Sequence, residues 1–277
     1  MPPIDVRAPA TSANLGPGFD CLGLALDLWN EASVELRGSG VRVTVEGEGA
    51  GQLPENEDNL VAWAFLAACA AAGQTPPRGL RIHCINRIPL GSGLGSSAAA
   101  TLTGLLAAQQ ALAQPFSQQQ LLELGAQIEG HPDNIAPALL GSLTIARQNG
   151  EDVLARRISI PSWSALVVLP EISLSTAEAR AALPRSVALD DAVTNIANTA
   201  LVIEAFRTGD LPLLRAAMHD RLHQPARLPL IPGAAQAIEA AFEAGAAACL
   251  SGAGPAVIAF HRGDENILER ENLGAFA

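Results

Sequence analysis

The sequence predicts an α+β protein of two domains, and three observations lead to this prediction. The chain has 277 residues, 49% of them apolar and 16% charged, so it can bury a sizeable core. A β-branched run at residues 80–85 is followed by glycines and then by a long Ala/Leu run, which is the order strand, turn, helix. Strand and helix patterns also alternate after residue 150, so we expect a first domain over 1–149 and a second over 150–277.

Charge and composition exclude several classes of protein. The formal net charge is −11 and the pI is about 4.9, which argues against nucleic acid as the main partner. All 17 basic residues are arginine. Without lysine the chain cannot build a Walker loop, a protein kinase site or a Schiff base. We recognise no leader and no membrane span, which predicts a cytoplasmic protein.

The cysteines are single and far apart in apolar surroundings, with no paired spacing for zinc or redox chemistry. We therefore expect reduced, buried thiols at Cys21, Cys69, Cys84 and Cys249.

Several elements of the first half follow from periodicity and turn residues. Residues 4–8 are a strand candidate, and the strands predicted at 30–37 and 41–46 are joined by Gly38-Ser39-Gly40 as a hairpin connection. An alanine-rich helix is expected over 60–72, with Gly73 at its end.

The most informative stretch is 89–101, which places Gly91, Gly93 and Gly95 before a helix that begins at about Ser96. Glycine lets the backbone approach a ligand, and the N–H groups and dipole at a helix start attract anions. We interpret the stretch as a phosphate loop; the alternative is a glycine-rich turn capped by serine. The dinucleotide fingerprint fails because serine replaces its third glycine, and no acidic residue follows between Ser96 and Leu122.

These residues carry a family resemblance. Pro89 and the run Gly93-Leu94-Gly95-Ser96-Ser97-Ala98-Ala99 resemble the phosphate loop of the GHMP small-molecule kinases, and Ser251-Gly252-Ala253-Gly254 resembles their third motif. Within that family, segments 8–20 and 131–141 resemble the homoserine kinase branch. The resemblance implies the two-domain GHMP kinase fold, with a ribosomal-S5-domain-2-like N-terminal domain and a ferredoxin-like C-terminal domain. The family usually continues for another helix and strand, so we expect a C-terminal domain shortened at its end.

The resemblance also implies ATP and Mg²⁺ as cofactors. The nucleotide-binding residues that it implies are Asn59, Pro89, Leu90, Gly91, Ser92, Gly93, Leu94, Gly95, Ser96, Ser97, Ser251, Gly252 and Gly254. Asn59 has a purely structural alternative, because it can cap the helix that follows it. For the metal, the family carries a glutamate eight residues before the histidine of the next motif. This implies Glu123, together with Ser97, and leaves Glu129 as the second candidate. On spacing alone Glu123 would lie on a solvated face.

Arginine suits a carboxylate on the acceptor, because its guanidinium donates two parallel hydrogen bonds. Arg180 and Arg227 are our candidates, as the resemblance also implies, and surface solvation is the alternative for each. Three prolines around Arg227 are expected to hold that segment extended. Asp20 or Asp133 would face the ammonium or hydroxyl group, and the pocket would be completed by Asn14, His131 and Asn134. Whether His131 or Asp133 acts as a general base stays open, because positioning alone can lower the barrier.

The resemblance implies ATP-dependent phosphorylation of the hydroxyl of L-homoserine, an enzyme with ATP and this small molecule as its partners. Neither nucleic acid nor a membrane is expected as a partner, and a homodimer is compatible with the sequence. Two alternatives stay open: a GHMP kinase for an isoprenoid or sugar acceptor, and a nucleotide-binding protein that has lost turnover.

Overall fold

The structure, a computed structural model, describes residues 2–263 except 114 and 173. The strands within these residues are β1 (Ile4–Ala13), β2 (Leu22–Glu35), β3 (Gly40–Gly47), β4 (Gly79–Asn86), β5 (Leu143–Asn149), β6 (Asp152–Ile158), β7 (Ser164–Val168), β8 (Ala247–Leu250) and β9 (Val257–His261). The helices are α1 (Leu60–Ala71), α2 (Ser96–Ala111), α3 (Gln118–Glu129), α4 (Pro132–Leu140), α5 (Thr176–Ala181), α6 (Leu189–Thr208), α7 (Leu211–Ala217), α8 (Gln224–Arg227) and α9 (Ala234–Glu243).

The larger sheet is built around the long strand β2. Its order is β3-β4-β2-β5-β6, and β1 pairs with β2 beside this path. The hairpin predicted between β2 and β3 is wrong, because β4 lies between them and pairs in parallel with β3. The glycine-rich link at 38–40 does reverse the chain, but consecutive strands are neighbours only about two-thirds of the time. Turn residues alone therefore could not identify the partner of β3.

Helices α1 and α2 cover one face of this sheet and form its core. Phe65 of α1 and Leu105 of α2 are fully buried and pack in one cluster with Val34 and Ile82 of the sheet. The two helices approach closely at Gly104, where an added Cβ would meet the carbonyl oxygen of Val61. This packing fixes α2, which begins directly after the glycine loop.

The start and end of α3 follow the sequence signals. Ser117 and Gln120 form a capping box, and Gly130 ends the helix with a positive φ of 79°. A single residue, His131, separates Gly130 from α4. The chain therefore turns a corner between two helices at His131.

The second sheet is antiparallel, with the order β7-β9-β8. Its buried Phe260 and Phe206 of α6 belong to one cluster with Leu22 and Leu143 of the larger sheet. The two sheets thus share apolar packing. The border predicted between residues 149 and 150 falls inside the β5–β6 hairpin. We propose, from sheet membership, a border between β6 and β7. The shortened C-terminal end expected from the sequence lies beyond residue 263, outside the described residues.

The described cysteines are all free; three of them are buried and Cys21 is half-buried. Burial raises the pKa of Cys84 to about 11 and that of Cys249 to about 12, so these thiols stay protonated at neutral pH. No helix among residues 2–263, apart from the two gaps, is long and apolar enough to cross a bilayer.

The core between α1 and the larger sheet generates a stability prediction. Phe65 has an exposed fraction of 0%, so Phe65→Ala should lower the free energy of unfolding by about 3 to 5 kcal/mol through lost burial and a new cavity. Trp63, on the same helix but 47% exposed, is the matched control, and Trp63→Ala should cost under about 1 kcal/mol. Urea unfolding of both variants measures this; equal losses would contradict the packing described.

Candidate active site

One cleft gathers most of the predicted site residues. It has a cavity volume of about 220 Å³ and lies where the glycine loop, α3, α4, α5 and α8 meet. The predicted residues that line it are Asn14, Asp20, Gly91, Ser92, Gly93, Gly95, Ser96, Ser97, His131, Asp133, Asn134, Arg180, Arg227, Gly252 and Gly254. Segments that are far apart in the chain therefore converge as the motifs predict.

The glycine loop presents free backbone donors to the cleft. Gly91, Gly93 and Gly95 all have positive φ values, and Gly95 is the N-cap of α2 without a side-chain cap. The N–H groups of the first turn of α2 therefore remain available, and the helix dipole adds a partial positive charge there. At Gly95 an added Cβ would collide with the hydroxyl of Thr11. Only glycine fits this position.

Two other segments hold the loop in place. The N–H of Thr11 donates to the carbonyl of Leu94 (3.0 Å), and the hydroxyl of Ser251 donates to the carbonyl of Gly93 (2.8 Å). These segments also bind each other, because the N–H of Gly252 donates to the carbonyl of Ala13 (3.1 Å). The end of β1, the glycine loop and the 251–254 turn thus form one hydrogen-bonded unit. We call this unit the loop clamp.

Several predicted nucleotide residues have structural roles outside the cleft lining. Asn59 caps α1: its Oδ1 accepts from the N–H of Val61 (3.1 Å), and its Nδ2 donates to the carbonyl of Pro54 (2.9 Å). The carbonyl of Pro89 accepts from the hydroxyl of Ser92 (2.8 Å). Leu94 is buried, whereas Leu90 is exposed. The capping alternative for Asn59 is thus observed, and both polar atoms of its side chain are occupied.

The acidic residue that reaches the phosphate loop is Glu129. Its Oε1 accepts from the hydroxyl of Ser97 (3.0 Å) and from the hydroxyl of Thr101 (2.5 Å), both on α2. Glu129 lines the cleft at the C-terminal end of α3. A carboxylate and two hydroxyls therefore lie together beside the start of α2.

The structure does not bring Glu123 into this cleft, which corrects the placement expected from the resemblance. Its Oε1 accepts from Nε2 of Gln119 (2.6 Å), and this amide also donates to the carbonyl of Val153 (2.7 Å) on β6. At about 100° per residue, Glu123 and Glu129 lie on different faces of α3. Because the two glutamates are six positions apart on this helix, their carboxylates point in different directions.

At the other end of the cleft, Asp20 and Arg180 form a two-pronged ion pair. Nη1 and Nη2 of Arg180 donate to the two carboxylate oxygens of Asp20, each over 2.9 Å, and both side chains are 38% exposed. The hydrogen-bonded carboxylate raises the pKa of Arg180. Oδ1 of Asn14 accepts from the N–H of Asp20 (2.9 Å), while its Nδ2 donates to the carbonyl of Gly252 (2.7 Å). Asn14 therefore links this ion pair to the loop clamp.

The corner between α3 and α4 contributes three polar side chains. Nδ1 of His131 lies 2.7 Å from Oδ1 of the buried Asp133. This hydrogen bond raises the pKa of His131, although burial acts in the opposite direction. Oδ1 of Asn134 accepts from the hydroxyl of Thr11 (2.9 Å), so Asn134 is oriented by the end of β1.

Arg227 is buried, with an exposed fraction of 1%, yet it lines the cleft. The predicted extended conformation is wrong: Arg227 ends the short helix α8, and Pro225 lies in its first turn, where proline is tolerated. Its guanidinium lies over the ring of Phe19, 5.2 Å from the centroid. Burial, and then the charge of Arg180, lowers the pKa of Arg227.

Sequence reasoning missed the site roles of Thr11, Thr101 and His223. Thr11 belongs to the quoted first motif, and its hydroxyl contacts Asn134. Thr101 lies four residues after Ser97, so helical spacing places both hydroxyls on one face and could have indicated the pair. His223 contacts the arginine of the cleft, with its Nδ1 3.0 Å from Nη1 of Arg227, and the four-residue spacing of the two could have indicated this pair.

Comparison with known proteins agrees with this geometry. The family descriptions "GHMP kinases N terminal domain" and "GHMP kinases C terminal" match residues 59–142 and 202–274. The chain belongs to the GHMP kinase family, and the predicted two-domain GHMP kinase fold is confirmed.

Homoserine kinases are among the similar proteins of that family. The chain is 46% identical to the homoserine kinase of Moorella thermoacetica over 274 residues, which cover 98% of this chain and 92% of that protein. It is 42% identical to the homoserine kinase of Desulfitobacterium hafniense, with coverages of 95% and 89%. A crystal structure of homoserine kinase from Cytophaga hutchinsonii is 33% identical, with a TM-score of 0.87 and coverages of 99% and 89%.

The His131–Asp133 contact generates a titration prediction. Replacing Asp133 with Asn removes the main cause of the raised pKa and leaves desolvation, so the pKa of His131 should fall. Glu123→Gln is the control, since this carboxylate contacts Gln119 outside the cleft and its loss should leave the titration of His131 unchanged. NMR of the His131 ring across pH measures both variants, and an unshifted pKa in Asp133→Asn would contradict the contact.

Proposed function

We propose that this protein is a homoserine kinase, which transfers the γ-phosphoryl group of ATP to the hydroxyl of L-homoserine and produces O-phospho-L-homoserine. The observation that carries the proposal is the cleft itself, which has backbone donors and a helix N-terminus at one end and two arginines with Asp20 at the other. The similarity to homoserine kinases over nearly the whole chain supports the acceptor.

The phosphate end neutralises charge without any lysine. The N–H groups of the first turn of α2, with the dipole of this helix, are suited to face the transferring group, and the loop clamp holds the loop before ATP arrives. The N–H of Leu94 is already occupied, because it donates to the hydroxyl of Ser92 (3.3 Å). Donors that are fixed in advance stabilise developing charge without the cost of reorganisation. The family membership implies ATP as the phosphoryl donor.

The metal assignment moves from Glu123 to Glu129. Mg²⁺ prefers hard oxygen ligands and is usually held by one or two carboxylates together with substrate phosphates. The carboxylate of Glu129 and the hydroxyl of Ser97 fit this chemistry and already lie 3.0 Å apart. No group of three or more His, Cys, Asp or Glu in the described part of the chain could hold a metal by itself. Mg²⁺ bound there would neutralise part of the phosphate charge.

The acceptor end matches an amino acid. The guanidinium groups of Arg180 and Arg227 are suited to the carboxylate of L-homoserine, and the carboxylate of Asp20 is suited to its ammonium group. The acceptor hydroxyl would then face His131, Asp133 and Asn134, beside the start of α2. Direct in-line transfer requires only that this hydroxyl be aligned with the γ-phosphoryl group, a positioning effect of about 7 to 11 kcal/mol.

An acceptor panel tests the proposed function. We expect ATP consumption with L-homoserine and little with mevalonate or galactose, because the last two lack the ammonium group that Asp20 would pair. Turnover of mevalonate or galactose instead would indicate another GHMP kinase. ATP binding without turnover of any acceptor would indicate a nucleotide-binding protein.

The arginine assignment is tested by Arg227→Leu. The KM for L-homoserine should rise by about 10- to 150-fold, which corresponds to the free energy of one hydrogen bond to a charged group.

The metal assignment has a matched pair of variants on one helix. Glu129→Gln should raise the Mg²⁺ concentration for half-maximal rate by at least about 10-fold, because it removes the carboxylate beside Ser97 and even outer-shell partners of a metal contribute this much. Glu123→Gln should leave that concentration unchanged, since Glu123 contacts Gln119 outside the cleft. Rates measured across a Mg²⁺ titration decide between them, and the reverse pattern would restore Glu123 as the ligand.

A further inference from the structure

His223 is a fully buried histidine that the proposed mechanism does not use. It lies just before α8, with an exposed fraction of 0%. Its Nε2 is 2.9 Å from the carbonyl oxygen of Gly16, and its Nδ1 is 3.0 Å from Nη1 of Arg227. Its ring stacks on Phe19, with centroids 5.2 Å apart and an angle of 23° between the planes.

The two hydrogen bonds define the protonation state of this ring. A guanidinium only donates, so Nδ1 of His223 must accept from Arg227; a carbonyl only accepts, so Nε2 must donate to Gly16. The ring is therefore neutral, with its proton on Nε2. Burial lowers the pKa of His223, which agrees with a neutral ring. The nearby Asp220 stays 3.6 Å from Nε2, and its oxygens accept from the N–H groups at 222–224 and from Asn195.

Arg227 needs such a partner because no carboxylate of the described residues forms an ion pair with it. Apart from His223, its guanidinium donates only long hydrogen bonds, of 3.4 Å to the carbonyl of Ala179 and 3.3 Å to that of Gly252. The described residues offer no acceptor to Nη2. The contact with His223 is thus the shortest one that fixes the guanidinium plane, and a buried cation remains open to an external anion.

We propose that His223 is a positioning residue: it orients the guanidinium of Arg227 towards the acceptor carboxylate and ties that orientation to the loop around Gly16. This inference rests on the proposed function of the cleft. His223 is the N-cap of α8 and precedes Arg227 by four residues, about one helical turn, so the two side chains lie side by side. Phe19 packs beneath both of them. Because Asn14 and Asp20 belong to the same loop, both ends of the acceptor pocket share one support.

Two variants separate the two hydrogen bonds. Oδ1 of Asn can replace Nδ1 as the acceptor for Arg227, so His223→Asn should leave the KM for L-homoserine within about threefold of the wild type. The amide of Gln can replace Nε2 and donate to Gly16 but supplies no acceptor at the Nδ1 position. His223→Gln should therefore raise this KM about tenfold, with kcat and the KM for ATP unchanged. Both variants lose the stacked ring, so their melting temperatures should fall equally.

A second acceptor distinguishes positioning from a general loss of stability. 3-Aminopropan-1-ol lacks the carboxylate, so His223→Gln should leave its kcat/KM unchanged while that for L-homoserine falls about tenfold. Equal losses for the two acceptors, or equal KM values in the two variants, would overturn the proposal. If His223→Gln does not fold, a tenfold higher KM in His223→Asn overturns it as well. Wild-type protein without turnover of L-homoserine would instead refute the proposed function, on which this one depends.

Discussion

The loop clamp is the constraint on which the rest of the site depends. A glycine loop that holds phosphate through its backbone must keep its N–H groups in one arrangement, yet glycine is the residue that loses most conformational freedom on ordering. Here the carbonyls of Gly93 and Leu94 accept hydrogen bonds from the hydroxyl of Ser251 and the N–H of Thr11, respectively. Since Ser251 follows β8 of the second sheet and Thr11 belongs to β1 of the first, the loop is ordered only when both sheets are in place.

The absence of lysine explains how charge is distributed in the cleft. Lysine would supply a mobile point charge, whereas this cleft has backbone donors at the glycine loop. Among its described lining residues the arginines are Arg180 and Arg227, at the end where we propose that the acceptor binds. The buried Arg227 and the half-exposed Arg180 differ in the groups that hold their guanidinium groups. The first is held by a neutral ring and carbonyls, and the second by the carboxylate of Asp20. The proposed acceptor pocket thus combines a cation in a fixed orientation, Arg227, with a second one, Arg180, whose carboxylate partner an acceptor could displace.

Local signals predicted much of the fold and the site, and nonlocal pairing explains what they missed. The alanine-rich pattern and the terminal Gly73 identified α1, and the glycine loop was placed correctly before α2. The insertion of β4 beside β2 depends on hydrogen bonds between distant residues, which no turn residue reports. The Glu123 expectation rested on a spacing taken from the resemblance. Which carboxylate contacts Ser97 and Thr101 depends on the face that α3 turns towards α2, and only the structure shows this face.

The Asp20–Arg180 pair has a consequence for selectivity. Before an acceptor enters, these two side chains satisfy each other through two hydrogen bonds. A zwitterion that inserts between them offers a new partner to each, so the number of opposite-charge contacts is conserved. A molecule with one charge leaves one of these two half-buried side chains without an opposite charge. Because a zwitterion brings no net charge, its affinity should vary little with ionic strength, in contrast to the affinity for the nucleotide.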